Sequence, residues 1–231
     1  MQRDMKAGAT ISQASAPDPR RPTPSLLEET GVVAVVRLDD LAQAERLVDA
    51  VLAGGVRCIE FTLTNRTAIT VIEQVRTSHG DRMLIGAGTV LDSESARTAI
   101  TAGAQFVVTP TLRLATIETC RRYSVPIACG AFTPTEILIA WEAGADWVKV
   151  FPASVGGPRY LREILGPLPQ VRLIPTGGVS VDNAGEFIAA GAVAVAVGSN
   201  LVKQAQVAAG AWDDITNTAR KVVEAVAAAR R

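Results

Sequence analysis

Eight short apolar runs recur along this chain at near-constant intervals, and that regularity limits the possible folds more than any single motif does. The runs are VVAVVR (32–37), RCIEFT (57–62), MLIGAG (83–88), QFVVT (105–109), PIACG (126–130), DWVKVF (146–151), VRLIPT (171–176) and VAVAVG (193–198). Their starts lie 25, 26, 22, 21, 20, 25 and 22 residues apart, the length of one strand, one helix and two short loops. Helical patterns fill the gaps: LAQAERLVDAVLAGG places apolar residues three and four apart and stops at glycine. That stop, AGG (53–55), and three more, AGA (102–104), EAGA (142–145) and AAGA (189–192), each precede a strand. Glycine at such a stop is expected in the left-handed conformation that ends a helix. Eight strand–helix units without a break predict an α/β fold, the (β/α)8 TIM barrel, over an open doubly wound sheet. SLLEET (25–30) predicts a short N-terminal helix before the first strand. Residues 25–231 therefore read as one barrel domain, and residues 1–24, rich in Pro, Ser, Ala and Arg, as a flexible N-terminal arm.

Composition excludes several function classes. With 48% apolar and 20% charged residues in 231, a substantial core is expected and wholesale disorder is not. Basic and acidic residues balance at 23 each, with no basic stripe, which argues against a nucleic-acid partner. The arm has no apolar stretch suited to a signal peptide, and no later run reaches the length of a membrane span. The expectation is a soluble, cytoplasmic protein with no membrane partner. Cys58, Cys120 and Cys129 are odd in number and lack CxxC spacing, so they read as buried thiols in a reducing compartment. The lone histidine, His79, sits in SHGDR, which reads as a solvated turn. With His79 as the one histidine, neither a histidine-based metal site nor a Ser-His triad is expected, and no metal is expected.

In a barrel of this kind functional groups gather at the C-terminal ends of the strands. The unusual residues fall there in register: Arg37, Glu60 and Thr62, GAGT (86–89), TPT (109–111), Gly130, Lys149 and Phe151, TGG (176–178) and GS (198–199). Strand alternation gives Trp147, Lys149 and Phe151 one direction and Val148 and Val150 the other. The valines suit the barrel–helix interface, which aims Lys149 into the barrel mouth. A lysine in apolar surroundings loses solvation and its pKa falls, and a neutral amine attacks carbonyls to form a Schiff base. A structural ion pair explains the same spacing equally well. Glu60, on the second strand, lies across an eight-stranded barrel from the sixth and shares its face with Thr62. A carboxyl near an iminium can shuttle protons, whereas a plain buried ion pair is costly.

A second constellation is PTGGVS (175–180) followed by VGSN (197–200). Glycine turns after strands seven and eight, opening helices, are expected to offer backbone N–H groups to a phosphate, with the Ser199 hydroxyl beside them. Tight turning alone is the plainer explanation for one such pair. The GAG at 86–88 lacks the further glycine and the later acidic residue of a dinucleotide site, so no such cofactor is expected. Thr89 and Pro110 are candidates to line the pocket, and Arg37 to grip a carboxylate or to end its strand in a salt bridge. Arg121, Arg122 and Tyr123 read as a solvated helix face, Trp141 and Trp212 as core or subunit contacts.

At these residues the chain resembles the 2-keto-3-deoxy-6-phosphogluconate / 4-hydroxy-2-oxoglutarate aldolase family. The motifs VVAVVR, GGVRCIEFTLT, GAGTVLD, AGAQFVVTP, FTPTE, VKVFPAS, PTGGVS and VGSNLV carry the likeness across about residues 26–225. The resemblance implies a class I aldolase that forms an imine on Lys149, moves protons through Glu60 and releases pyruvate. It implies that Thr89, Pro110 and Phe151 line the pyruvate pocket. Gly177, Gly178 and Ser199 would hold the phosphate of glyceraldehyde 3-phosphate. It further implies a homotrimer that uses neither metal nor cofactor. One position departs from the pattern. Many members carry a carboxylate-binding arginine where this chain has Thr64, which leaves Arg37, Arg66 or backbone amides for that task. Substrates derived from phosphogluconate, from phosphogalactonate, or unphosphorylated 4-hydroxy-2-oxoglutarate therefore stay open. So do a phosphosugar isomerase or epimerase and a non-catalytic phosphometabolite-binding barrel.

Overall fold

The computed structural model describes residues 25–231; the expected arm at 1–24 lies outside the described residues. The first element, α1 (Ser25–Thr30), is the short helix read from SLLEET. Eight strands follow: β1 (Val32–Val36), β2 (Cys58–Thr62), β3 (Leu84–Gly88), β4 (Phe106–Val108), β5 (Ile127–Ala131), β6 (Trp147–Val150), β7 (Leu173–Pro175) and β8 (Val195–Val197). Helices α2 (Ala44–Ala53), α3 (Ala68–His79), α4 (Ser93–Thr101), α5 (Leu114–Arg122), α6 (Pro134–Glu142), α7 (Gly157–Leu165) and α8 (Ala184–Ala189) lie between successive strands. The chain ends in α9 (Gln204–Ala208) and the long α10 (Trp212–Ala229).

All strand pairings are parallel, in the order β7-β6-β5-β4-β3-β2-β1-β8. The seam between β7 and β8 is thin: one bridge, Thr176 to Ala196, and the Val193 N–H donating to Leu173 O at 3.1 Å. Pro175 has no N–H to extend that ladder, and the glycine pair behind it turns away. The eight-strand (β/α)8 barrel predicted from spacing is therefore the architecture, with seven strands one to three residues shorter than their apolar runs and β5 equal in length but shifted by one residue. The glycines at the predicted helix stops adopt the expected backbone: Gly55, Gly103, Gly144 and Gly191 have φ of 90°, 98°, 92° and 101°.

Alternation divides the strands between two cores. Val32, Ala34, Val36, Ile59, Phe61, Val148 and Val150 face outward and pack with the helices. Val33, Val35, Cys58, Phe106, Val108, Trp147 and Ile174 fill the barrel interior, as strand pleating requires. Helix α1 plugs the lower end. Leu27 enters the interior cluster, and Glu28 accepts a 2.7 Å hydrogen bond from Trp147 Nε1 while pairing with Arg172. The N-terminus of α6 is held by a capping box between Thr133 and Glu136 with Pro134 in the first turn, and that of α4 by Asp92 accepting from Ser95 N.

One expectation is corrected. His79 is not in a solvated turn: it closes α3, is buried, and lies within hydrogen-bond distance of Ser78 Oγ (2.7 Å) and Asp49 Oδ1 (3.1 Å). Ile72, Val75 and His79 share a helix face, so the 3.6-residue period carries one residue past the polar SHGDR signal. Trp141 and Trp212 pack against the outer core, and Arg121, Arg122 and Tyr123 are exposed on α5 and just past its end.

Candidate active site

Strands β2 and β6 aim Glu60 and Lys149 into the upper barrel interior, where they are only 1% and 5% exposed. Both line one small cavity of about 10 Å³, room for roughly one water, walled by Phe106, Val108, Ala128 and Thr176. Burial lowers the Lys149 pKa below the usual lysine value; Glu60 opposes this and Arg37 adds to it. Burial likewise raises the Glu60 pKa above the usual carboxyl value, against the pull of Lys149 and Arg37. Both shifts favour the neutral forms, an amine and a carboxylic acid, between which a proton moves at low cost. The ion pairs between described residues do not include Lys149 with Glu60, and among those residues Glu60 Oε1 has no hydrogen-bond partner. The plain structural ion pair is thus not what this geometry presents.

The wall around Glu60 explains the GAG of β3. A Cβ on Gly88 would sit 2.7 Å from Glu60 Oε1, and one on Gly86 would strike the Phe106 ring at 2.4 Å. Those glycines make room for a carboxyl and an aromatic ring rather than for a dinucleotide. Thr89, next in the chain and half-buried, holds φ at 56°, a left-handed conformation uncommon for a β-branched residue. Pro110 is half-buried in the loop after β4, which crosses Gly130 so closely that a Cβ there would lie 2.3 Å from the Pro110 carbonyl carbon. Thr109 fixes that loop, its hydroxyl donating to Thr111 O at 2.8 Å and accepting from Gly130 N at 2.9 Å. Phe151 follows β6, with Lys149 Nζ 5.2 Å from its ring centroid.

Gly177 and Gly178 have φ of 91° and 78°, and side chains there would meet Phe151 and Ser154. This loop and the one after β8 lie together, since Asn200 Nδ2 donates to Val179 O at 2.8 Å, and within the first loop Asn183 Nδ2 donates to Gly178 O at 3.0 Å. Ser199 is exposed beside them. The expectation that the glycine turns open directly into helices is corrected. Helix α8 begins at Ala184 and α9 at Gln204, because asparagine-held turns intervene. Any anion at this corner meets loop amides rather than a helix end.

Arg37 is exposed at the end of β1, yet its charge reaches both Glu60 and Lys149. The salt bridges between described residues leave it out. Thr64 is exposed and its hydroxyl lies 2.9 Å from that of Thr62. Asn65 donates to Leu38 O and Asp39 O, at 3.0 and 2.9 Å, and so ties the loop after Arg37 to the loop after β2. Arg66 is exposed. Sequence reasoning missed Thr176 and Leu27 as cavity residues; for Thr176 the signal was alternation from Ile174. No group of three or more His, Cys, Asp or Glu among the described residues is arranged to hold a metal, and no described helix is long and apolar enough to cross a membrane.

A family model for aldolases, KDPG and KHG aldolase, matches residues 24–218, most of the chain. The chain belongs to this family. It is 37% identical over 201 residues to the 2-dehydro-3-deoxy-phosphogluconate aldolase of Treponema pallidum, covering 87% of this chain and 95% of that protein. It is 34% identical to the Pseudomonas aeruginosa enzyme of the same name, covering 90% and 94%. Among solved structures it resembles the KDPG aldolase of Legionella pneumophila, with pyruvate captured at low pH as a covalent carbinolamine intermediate. The TM-score there is 0.80 and the identity 29%, covering 86% and 96% of the two chains. The protein is accordingly an aldolase, a lyase, built on the barrel that the spacing predicted.

Proposed function

We propose that this aldolase cleaves 2-keto-3-deoxy-6-phosphogluconate, or a close 2-keto-3-deoxy phosphosugar acid, to pyruvate and glyceraldehyde 3-phosphate through an imine on Lys149. The observation that carries the reading is the buried Lys149–Glu60 pair, whose pKa values are pushed toward each other inside one cavity. The neutral amine adds to the C2 carbonyl, and loss of water leaves a protonated imine. Glu60, as carboxylate, then takes the proton of the C4 hydroxyl. The C3–C4 bond breaks, its electron pair neutralises the iminium nitrogen as an enamine, and the aldehyde departs. Glu60 returns the proton to C3, and water hydrolyses the resulting pyruvate imine.

Thr89, Pro110 and Phe151 line the pyruvate end in this reading, and Arg37 supplies the cation for its carboxylate in place of the arginine that Thr64 replaces. The backbone of Gly177 and Gly178, with Ser199, takes the phosphate. The partner is thus a small phosphorylated keto acid; a homotrimer in the cytoplasm is proposed from the family resemblance. A phosphogalactonate-derived substrate is the second reading, favoured by a solved structure described as native KDPGal, at TM-score 0.81 and 30% identity.

Borohydride reduction with labelled pyruvate tests the imine. One pyruvate-derived adduct on the Lys149 peptide is expected, and none on Lys149→Ala. Equal labelling of both proteins would overturn the mechanism. Pyruvate release from the phosphogluconate- and phosphogalactonate-derived acids then decides between the two substrates.

A further inference from the structure

The loop after β1 is tied down more fully than a surface connection requires. Alternation turns Val33 and Val35 into the barrel interior and Val36 and Leu38 toward the helices, so Arg37 leaves the strand end on the interior side. Val35 is the Cα partner of Glu60, which sets Arg37 one layer above that carboxyl, level with Thr62. Beyond Arg37, the peptide groups 38–39 and 39–40 are each held from both flanks. Their carbonyls, Leu38 O and Asp39 O, accept from Asn65 Nδ2 of the loop after β2, at 3.0 and 2.9 Å. Their N–H groups, on Asp39 and Asp40, donate to Oε1 of Gln204, which opens α9 after β8, at 3.0 and 3.3 Å. Asn65 is oriented in turn, since its Oδ1 accepts from Thr67 N and Thr67 Oγ1, each at 2.8 Å. A loop that only joined β1 to α2 would need neither amide, because exposed peptide groups bond to water.

The clamp also keeps charges apart. Asp39 and Asp40 follow Arg37 by two and three residues, near enough in the chain to neutralise a guanidinium. The ion pairs between described residues nevertheless include none of the three, and Asp40 Oδ1 accepts from Ala42 N at 2.8 Å instead. Resting on the reading above, in which Arg37 meets the pyruvate carboxylate, we infer that Asn65 and Gln204 are positioning residues for Arg37. They fix the two peptide groups behind it, so that the guanidinium stands at the barrel mouth, away from Asp39 and Asp40, and selects keto acids over uncharged ketones. A cation held in place before the ligand arrives loses less freedom on binding, and a charged hydrogen bond to carboxylate is among the stronger contacts a surface side chain makes. The β1 loop thus supplies from one side of Glu60 what Thr64 does not supply from the other.

The test traps pyruvate and, separately, its uncharged methyl ester with cyanoborohydride, each at low concentration, and reads the ratio of the two rates. A change in folding or in the amine enters both rates and cancels. Arg37→Met is expected to lower the ratio by on the order of 10- to 100-fold, the usual loss for a hydrogen bond to a charged group. Asn65→Ala combined with Gln204→Met frees both peptide groups and is expected to lower it by about tenfold, since the cation is no longer held in place. Gln204→Met alone, expected to lower it by about threefold, serves if the combined variant does not fold. Added to Arg37→Met, the two clamp substitutions should change the ratio by less than about twofold, because a positioning residue acts only through the group it positions. Folded clamp variants with the wild-type ratio, or with the same fall when Arg37 is already methionine, overturn this inference and leave Arg37 its role. An Arg37→Met protein with the wild-type ratio overturns the carboxylate assignment and this inference together, while the Lys149 imine stands. A wild-type protein that traps neither compound overturns the imine reading as well.

Discussion

Gly88→Ala moves the Glu60 carboxyl without changing its chemistry. The new Cβ would stand 2.7 Å from Glu60 Oε1 and 2.8 Å from Cδ, where ordinary contact begins at 3.4 Å, so the carboxyl must retreat by about 0.7 Å. Gly88 is not among the positive-φ glycines, and alanine fits the β3 backbone without strain. A misplacement of about 1 Å at a reacting group costs on the order of 100-fold in rate, or about 2.7 kcal/mol of barrier. Overpacking costs about 1–3 kcal/mol of stability, leaving the barrel folded. The expected result is therefore a large fall in kcat for pyruvate release with a modest fall in melting temperature. A double-mutant cycle isolates the cause: if alanine acts only through the carboxyl, Gly88→Ala adds little once Glu60→Gln is in place. A folded Gly88→Ala with kcat within about threefold of wild type would refute the reasoning, since Glu60 would then not need its observed position.

Lys149→Met removes the amine that burial holds below its usual pKa. The depressed folded-state pKa means that folding expels a proton, so this lysine's stability penalty is absent above the unfolded pKa and grows as pH falls toward the folded one. The variant should be inactive, and its stability gain in urea melts should be larger at pH 6 than at pH 10. Leu27→Ala opens the barrel floor; we expect a loss of about 2–5 kcal/mol. Water reaching the cavity from below should also raise the Lys149 pKa and shift the acidic limb of the kcat/KM profile to higher pH. His79→Ala removes a contact with Ser78 within α3 and the hydrogen bond that ties α3 to Asp49 of α2. It should cost about 1–3 kcal/mol in denaturant melts with kcat unchanged, since neither partner lines the cavity of Lys149 and Glu60.

The sequence by itself determined the barrel. Eight evenly spaced apolar runs leave room only for alternating strands and helices, and period-two alternation already turned Glu60 and Lys149 inward and Ile59, Phe61, Val148 and Val150 outward. Helix ends at Gly55, Gly103, Gly144 and Gly191 were legible for the same reason: a local steric rule acts on local residues. Only the tertiary structure decided what depends on distances across the barrel. That Lys149 and Glu60 share a cavity without forming an ion pair is set by strand tilt, a property of the closed sheet and not of either strand. The role of Gly88 emerged only when β3 lay beside β2, and that of Leu27 only when α1 folded under the barrel floor. His79 was misread because a polar turn signal overlapped the last turn of a helix, and burial against α2 outweighed it. Thr176 sat in the motif TGG, whose glycines drew the reading toward phosphate. A cavity residue is defined by what surrounds it, and those surroundings come from strands far apart in the chain.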